Sequence, residues 1–259
     1  MLFWHFLFGG VFINLERFFK ENPAAALGFS GGVDSSYVLY AGLKYGARIK
    51  AYHAKTAFQP EFELRDAQRM AAHLGTEMTV LEKDILANPL VISNPADRCY
   101  HCKKDIFGEL RKQALADGFS LIIDGSNASD DVDDRPGMRA TSELSVRSPL
   151  RECGITKDEV RRLSKEAGLF TWDKPAYACL ATRVPTGQAY SAELLQRIEK
   201  SESALFELGF SDFRVRVMGE VAKLQFPDNQ MAKVISEKPE ILKAIEPHFK
   251  TVLLDLEGR

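Results

Sequence analysis

Ala24-Ala25-Ala26-Leu27-Gly28-Phe29 runs directly into Ser30-Gly31-Gly32-Val33-Asp34-Ser35. The first six residues form an apolar run of strand length, and residues 35–45 read as a helix. A strand that feeds a glycine pair and then a helix suits phosphate. Glycines let the backbone approach phosphate oxygens with no Cβ in the way. The helix start adds free N–H groups and the positive end of the helix dipole. Ser30 and Ser35 add hydroxyl donors, and Asp34 either orders the loop or meets a magnesium ion. No Gly-Lys-Ser/Thr ending follows, which excludes the common nucleotide triphosphatase P-loop. A turn that merely caps a helix would explain the glycines alone, but not the whole hexapeptide between a strand and a helix.

Outward from this loop, strand and helix patterns alternate. Residues 49–54, 77–81 and 120–124 read as strands, and residues 143–149 offer a fifth. Residues 61–74 place Phe62, Ala67, Met70 and Leu74 near one helix face, and residues 103–116 form another amphipathic helix closed by Gly118. Thr156 and Glu159 have capping-box spacing. The alternation predicts an α/β fold, a parallel sheet with helices on both faces. Ligands in such sheets sit beyond the carboxyl ends of the strands, here after Phe29, Ala54 and Asp124. After residue 172 the pattern changes. A helix over 191–208, a hairpin over 213–226 with one wet face, a helix over 229–236 and a last strand over 251–254 predict a small α+β domain. The expected boundaries are 1–172 and 173–259.

The 259 residues are 45% hydrophobic, enough for a sizeable core. A net charge of -2 argues against a protein that coats nucleic acid. Four cysteines are too few for a disulfide scaffold, so the expected compartment is reducing and cytoplasmic. The apolar start, residues 1–8, has no basic flank or small-residue cleavage site and is too short to span a bilayer. It reads as a helix packed on the body, with no membrane partner.

Arg98-Cys99-Tyr100-His101-Cys102-Lys103 puts two thiols on one turn just before a helix, where the dipole and nearby cations favour thiolates. Cys179 lies in the link between the two domains, so only the fold can bring the three together. Three thiolates can hold an iron–sulfur cluster with one open iron. Zinc, a Cys99–Cys102 disulfide and ordinary cysteines are the other readings. Cys153, beside Gly154, reads as an ordinary cysteine.

The hexapeptide at Ser30 resembles the PP-loop of the ATP pyrophosphatase superfamily, and Asp124-Gly125-Ser126-Asn127 resembles its second nucleotide-facing loop. Asn94-Pro95-Ala96-Asp97-Arg98-Cys99, Asp134-Arg135-Pro136-Gly137, Ser148-Pro149-Leu150 and 174–183 narrow the resemblance. They look like the ATP-dependent sulfur transferases that build the nickel-pincer nucleotide cofactor of lactate racemase, in their three-cysteine form. The resemblance implies ATP with Mg2+, held around Gly28, Phe29, Ser30, Gly31, Gly32, Val33, Asp34, Ser35, Ala54, Gly125 and Asn127. The implied partner is a small-molecule substrate, a pyridinium dicarboxylate mononucleotide. One carboxylate attacks the α-phosphorus, pyrophosphate leaves, and a sulfur nucleophile displaces AMP. The implied catalytic residues are Cys179, Asp34 and Arg183. Cys99, Cys102 and Cys179 would hold a [4Fe-4S] cluster; the rival within the family is sacrifice of Cys179 to dehydroalanine. Arg98, Arg135, Arg183, Arg214 and Arg216 are the implied substrate-binding cations, since guanidinium forks match phosphate and carboxylate. A solvated hairpin face is the competing reading of Arg214 and Arg216. The hairpin also departs from the family pattern: Gln225 stands where a glutamate is expected, leaving Glu220 or Asp228 as substitutes and Glu202 as a weaker candidate. The family implies a homo-oligomer. Rival functions are a tRNA-thiolating enzyme of the same superfamily, a nucleotide-binding sensor without turnover, and an ammonia-using amide synthetase.

Overall fold

The computed structural model describes residues 14–130 and 136–258. The apolar start at 1–8 and Arg135 lie outside them. Strand β1 (Ala24–Gly28) pairs in parallel with β2 (Arg48–Lys55) and β4 (Ile122–Ile123), and β2 pairs in parallel with β3 (Met78–Glu82), giving the order β3-β2-β1-β4. Parallel neighbours need crossovers. Helix α1 (Leu15–Glu21) precedes β1, α2 (Val33–Lys44) links β1 to β2, and α3 (Glu61–His73) links β2 to β3. Helices α4 (Pro89–Ile92) and α5 (Arg98–Ala116) lead to β4.

The strand alternation sets the two layers. Ala25 and Leu27 pack with Phe18 and Phe19 of α1 and Val38 of α2. Ala26, between them, packs on the other face with Phe107 and Leu110 of α5. The sheet is thus buried on both sides, as its near-continuous apolar runs require.

Beyond β4 the expected fifth strand is absent among the described residues. Helix α6 (Pro136–Glu143) takes its start and Pro149 opens α7 (Pro149–Glu152). Between them Ser145 has φ 54 and Arg147 makes a single bridge to Ile123. The left-handed residue and the proline leave no room for a ladder. Helix α8 (Lys157–Glu166) carries the capping box of Thr156 and Glu159. A second correction concerns the thiols: α5 begins at Arg98, so Cys99 lies in its first turn and Cys102 at the start of its second, rather than ahead of the helix.

The second sheet follows α9 (Ala192–Glu207). Strands β5 (Arg214–Met218) and β6 (Val221–Gln225) are antiparallel, and β7 (Thr251–Leu254) joins β6 in parallel after α10 (Met231–Ser236) and α11 (Lys238–Ile245). Val215, Val217, Ala222 and Leu224 point into a core with Leu195, Ile198 and Leu205 of α9. The same core takes in Phe58, Ile85, Val91 and Cys102 from the first half of the chain. The basic hairpin face is wet only in part: Arg214 is 5% exposed, packed beneath the link that carries Cys179, whereas Met218 at the far end of the same face is 53% exposed.

That link is pinned by a buried ion pair. Arg183 Nε and Nη2 donate to the two carboxylate oxygens of Glu202 at 2.7 and 3.0 Å. Glu202 also accepts from Val215 N at 2.9 Å and from the Tyr177 hydroxyl. Removing one partner of a buried pair strands the other charge, which costs about 3–5 kcal/mol. Glu202→Ala is therefore expected to lose about that much stability in a denaturant melt; a midpoint like that of wild type would contradict the pinning role.

Candidate active site

The loop after β1 is built on a residue that must be glycine. Gly31 has φ +74, and a Cβ there would sit 2.8 Å from the Ala67 backbone of α3. Gly32 is the N-cap of α2 and supplies no side-chain cap. The first-turn amides of Val33, Asp34 and Ser35 therefore have no intrahelical carbonyl to bond. Ser30 Oγ lies 3.0 Å from Ser35 Oγ and accepts from Gly32 N at 3.2 Å, which folds the loop over the helix end. The second loop locks against it. A Cβ on Gly125 would lie 2.8 Å from Ser35 N. Asn127 Nδ2 donates to Asp34 Oδ1 at 3.2 Å, and Lys157 Nζ pairs with Asp34 Oδ2 at 2.5 Å. Asp34 thus braces the loop in this structure.

A cavity of about 320 Å³ runs from Gly28, Phe29 and Ser30, past His53 and Ala54, to Cys99, Cys102 and Cys179. His53 is buried, with Nδ1 2.9 Å from Phe29 O, and burial pulls its pKa down. Leu180 N donates to Phe58 O at 2.9 Å, which carries Cys179 to the mouth of α5. Arg98 then reaches two sulfurs: Nη1 donates to Cys179 Sγ at 3.5 Å and Nη2 to Cys99 Sγ at 3.4 Å. Cys102 is buried, and burial reinforced by Cys179 pushes its thiol up to about 12. It is a protonated thiol at neutral pH. In this conformation no group of three or more Cys, His, Asp or Glu side chains among the described residues is arranged to hold a metal ion.

Comparison with known proteins agrees with this architecture. The asparagine synthase family model matches residues 17–95, which contain the loop at Ser30. An uncharacterized protein of Synechocystis sp. is 39% identical over 95% of this chain and 93% of its own. An uncharacterized protein of Methanocaldococcus jannaschii is 31% identical over 94% of this chain and 93% of its own. The pyridinium-3,5-bisthiocarboxylic acid mononucleotide synthase of Lactiplantibacillus plantarum is 29% identical over 92% of this chain and 88% of its own. The chain belongs to a family of PP-loop ATP pyrophosphatases.

Around this PP-loop site the other sequence candidates separate. Arg98 lies among the thiols. Arg183 does not open onto the cavity; its donors go to Glu202, Ala178 O and Thr182 Oγ1. Among the described residues Arg214 donates to the carbonyls of Phe213 and Ala176, and it lines a neighbouring cleft of about 390 Å³ with Phe62, Lys174 and Tyr177. Arg216 donates to Gln225 Oε1 at 2.5 Å and Thr182 O at 2.7 Å. Gln225 Nε2 in turn donates to Asp255 Oδ2 at 2.7 Å. The acid near Gln225 is therefore Asp255, while Glu220 pairs with Arg197. No local sequence pattern links Asp255 to the hairpin; parallel pairing of β7 with β6 does. Cys153 is half-buried against the α2 and α8 core, where burial pushes its thiol up to about 11.

Sequence reasoning missed Glu63. It lies in the first turn of α3, lines the thiol cavity and has no hydrogen-bond or ion-pair partner among the described side chains. Burial pushes its carboxyl up to about 7. Its only sequence signal was a second glutamate in a helix start, which reads as dipole compensation.

A methyl group on Gly31 must push the loop off α3 and disturb the bare amides. Gly31→Ala is expected to weaken ATP binding by about tenfold or more in calorimetry; unchanged affinity in the folded variant would contradict this reading of the loop.

Proposed function

We propose that this protein is an ATP-dependent sulfur transferase. It adenylates a carboxylate of a pyridinium-3,5-dicarboxylate mononucleotide, releases pyrophosphate, and replaces carboxyl oxygen with sulfur. One observation carries the reading: Ser30, the first residue of the PP-loop, and the thiol-bearing residues Cys99, Cys102 and Cys179 line a single cavity. An amide synthetase or a nucleotide sensor has no use for three thiols beside the phosphate loop.

In the first half-reaction the loop amides and the head of α2 hold the β and γ phosphates of Mg2+-ATP, so negative charge grows where N–H groups already point. A substrate carboxylate oxygen forms a bond to the α-phosphorus as the bond to the bridging oxygen breaks. The acyl carbon is then open to a sulfur nucleophile, and AMP departs with the former carboxyl oxygen. Cys179 holds the sulfur to be transferred, either as its own Sγ or as a sulfide on a cluster that it helps to bind. Arg98 orients its Sγ, and Arg183 fixes its backbone by donating to Ala178 O. Arg214 lines the cleft beside this cavity and donates to backbone carbonyls, which leaves it the hairpin cation for a substrate phosphate or carboxylate, while Arg216 ties the hairpin to the link through Thr182 O.

The donor chemistry of three thiols on one cavity fits a [4Fe-4S] cluster held by Cys99, Cys102 and Cys179. Bound there, the cluster would supply an open iron able to carry a sulfide. Arg98, which now donates to two of the three sulfurs, is the group such binding must displace. We also assign the chain to a homo-oligomer with closed symmetry.

Anaerobic turnover with ATP and the dicarboxylate nucleotide tests the reading. Wild type is expected to release pyrophosphate and AMP and to form the thiocarboxylate. Cys179→Ala should still release pyrophosphate but give no thiocarboxylate. Tight ATP binding with no AMP from wild type would overturn the proposal, and full product from Cys179→Ala would overturn the sulfur assignment. Iron and acid-labile sulfide in anaerobically purified protein support the cluster; loss of the mass of hydrogen sulfide at Cys179 after turnover supports sacrifice instead.

A further inference from the structure

We propose that Glu63 is the counter-ion for the positively charged ring of the substrate, and so selects a pyridinium over a neutral ring of the same shape. This rests on the function proposed above and names one more determinant of its substrate.

The cavity has an excess of cations. Among its described lining residues the charged side chains other than Glu63 are Arg98 and Lys103. They suit phosphates and carboxylates but repel a ring nitrogen with a fixed positive charge. Glu63 is the one acid on that lining. Its surroundings leave it free. Lys174 is 2.6 Å from Asp66, Lys55 is 2.6 Å from Glu61, and Arg183 is held by Glu202. Each cation near Glu63 thus has another acid as its partner. A half-buried carboxylate with no partner is costly to keep charged. Burial accordingly pushes it up to about 7, against the opposing pull of Lys174, Arg183 and Lys55 and with Asp66 adding to the rise. An arriving ring cation removes that cost. The same feature predicts the pH response. Glu63 is ionised above its pKa, so preference for the charged ring grows as pH rises from 6 to 8.

The test compares two ligands by calorimetry: the pyridinium dicarboxylate mononucleotide and its 1,4-dihydropyridine analogue, which keeps both carboxylates and the phosphate but has no ring charge. Wild type is expected to bind the pyridinium about tenfold more tightly at pH 8, and by less at pH 6. Glu63→Gln should abolish the preference and its pH dependence, and Glu63→Asp should keep part of both. Melting curves for both variants separate this from misfolding; removal of an unpartnered carboxylate should, if anything, raise the Glu63→Gln midpoint at pH 8. A wild type that makes thiocarboxylate yet binds the two ligands equally overturns this inference alone. So does a Glu63→Gln protein that keeps the preference, including one that instead loses Mg2+-ATP affinity, which would assign Glu63 to the metal. A wild type that binds neither ligand overturns the proposed function as well.

Discussion

The site depends on the contact between Gly125 and the head of α2. A single methyl group at residue 125 would lie 2.8 Å from the Ser35 amide. Because the second loop can come that close, Asn127 and Lys157 can grip Asp34 from outside. Asp34 in turn fixes the first turn of a helix whose leading amides have nothing of their own to bond. Bare donors are costly in a protein interior unless something else is meant to fill them. Here they lie at the carboxyl edge of a parallel sheet, between two loops, where the fold places ligands. The same two loops that leave β1 and β4 therefore also frame these bare amides.

The second half of the molecule serves this site by delivering Cys179. The link carrying it is pinned at Arg183 to a buried glutamate, and through Leu180 N to Phe58 O. Two lines of force meet at the thiols: the backbone of the link from one side, and the first turn of α5 from the other. Arg98 joins them by touching one sulfur from each. The cavity that results is cationic near its sulfurs and carries a lone acid, Glu63, on the α3 wall. Such a distribution matches a ligand with several negative groups arranged around one positive ring.

Much of this was legible in the sequence because local patterns reported it. Apolar runs of strand length that alternate with helical patterns report the parallel sheet, and the glycines at its carboxyl edge mark the loops after β1 and β4. The capping box at Thr156 marked the start of α8. What sequence could not report were interactions made by distant segments. The strand expected at 143–149 failed because a left-handed Ser145 and a helix-starting Pro149 outweighed the β-branched Val146. Arg183 looked like a ligand by its charge, yet Glu202, on a helix nine residues further along, consumes it. Arg214 and Arg216 share a face as their spacing required, but the link covers that face. Glu63 was invisible because its significance lies in what does not pair with it.

The central claim is that loop amides hold the diphosphate end of ATP. Hydrogen–deuterium exchange of residues 30–36, with and without a non-hydrolysable Mg2+-ATP analogue, tests it most directly. Marked slowing at Gly31 through Ser35 on binding, beyond any change in α8, is the expected result. Saturating nucleotide that leaves those amides exchanging as fast as in the free protein would contradict it.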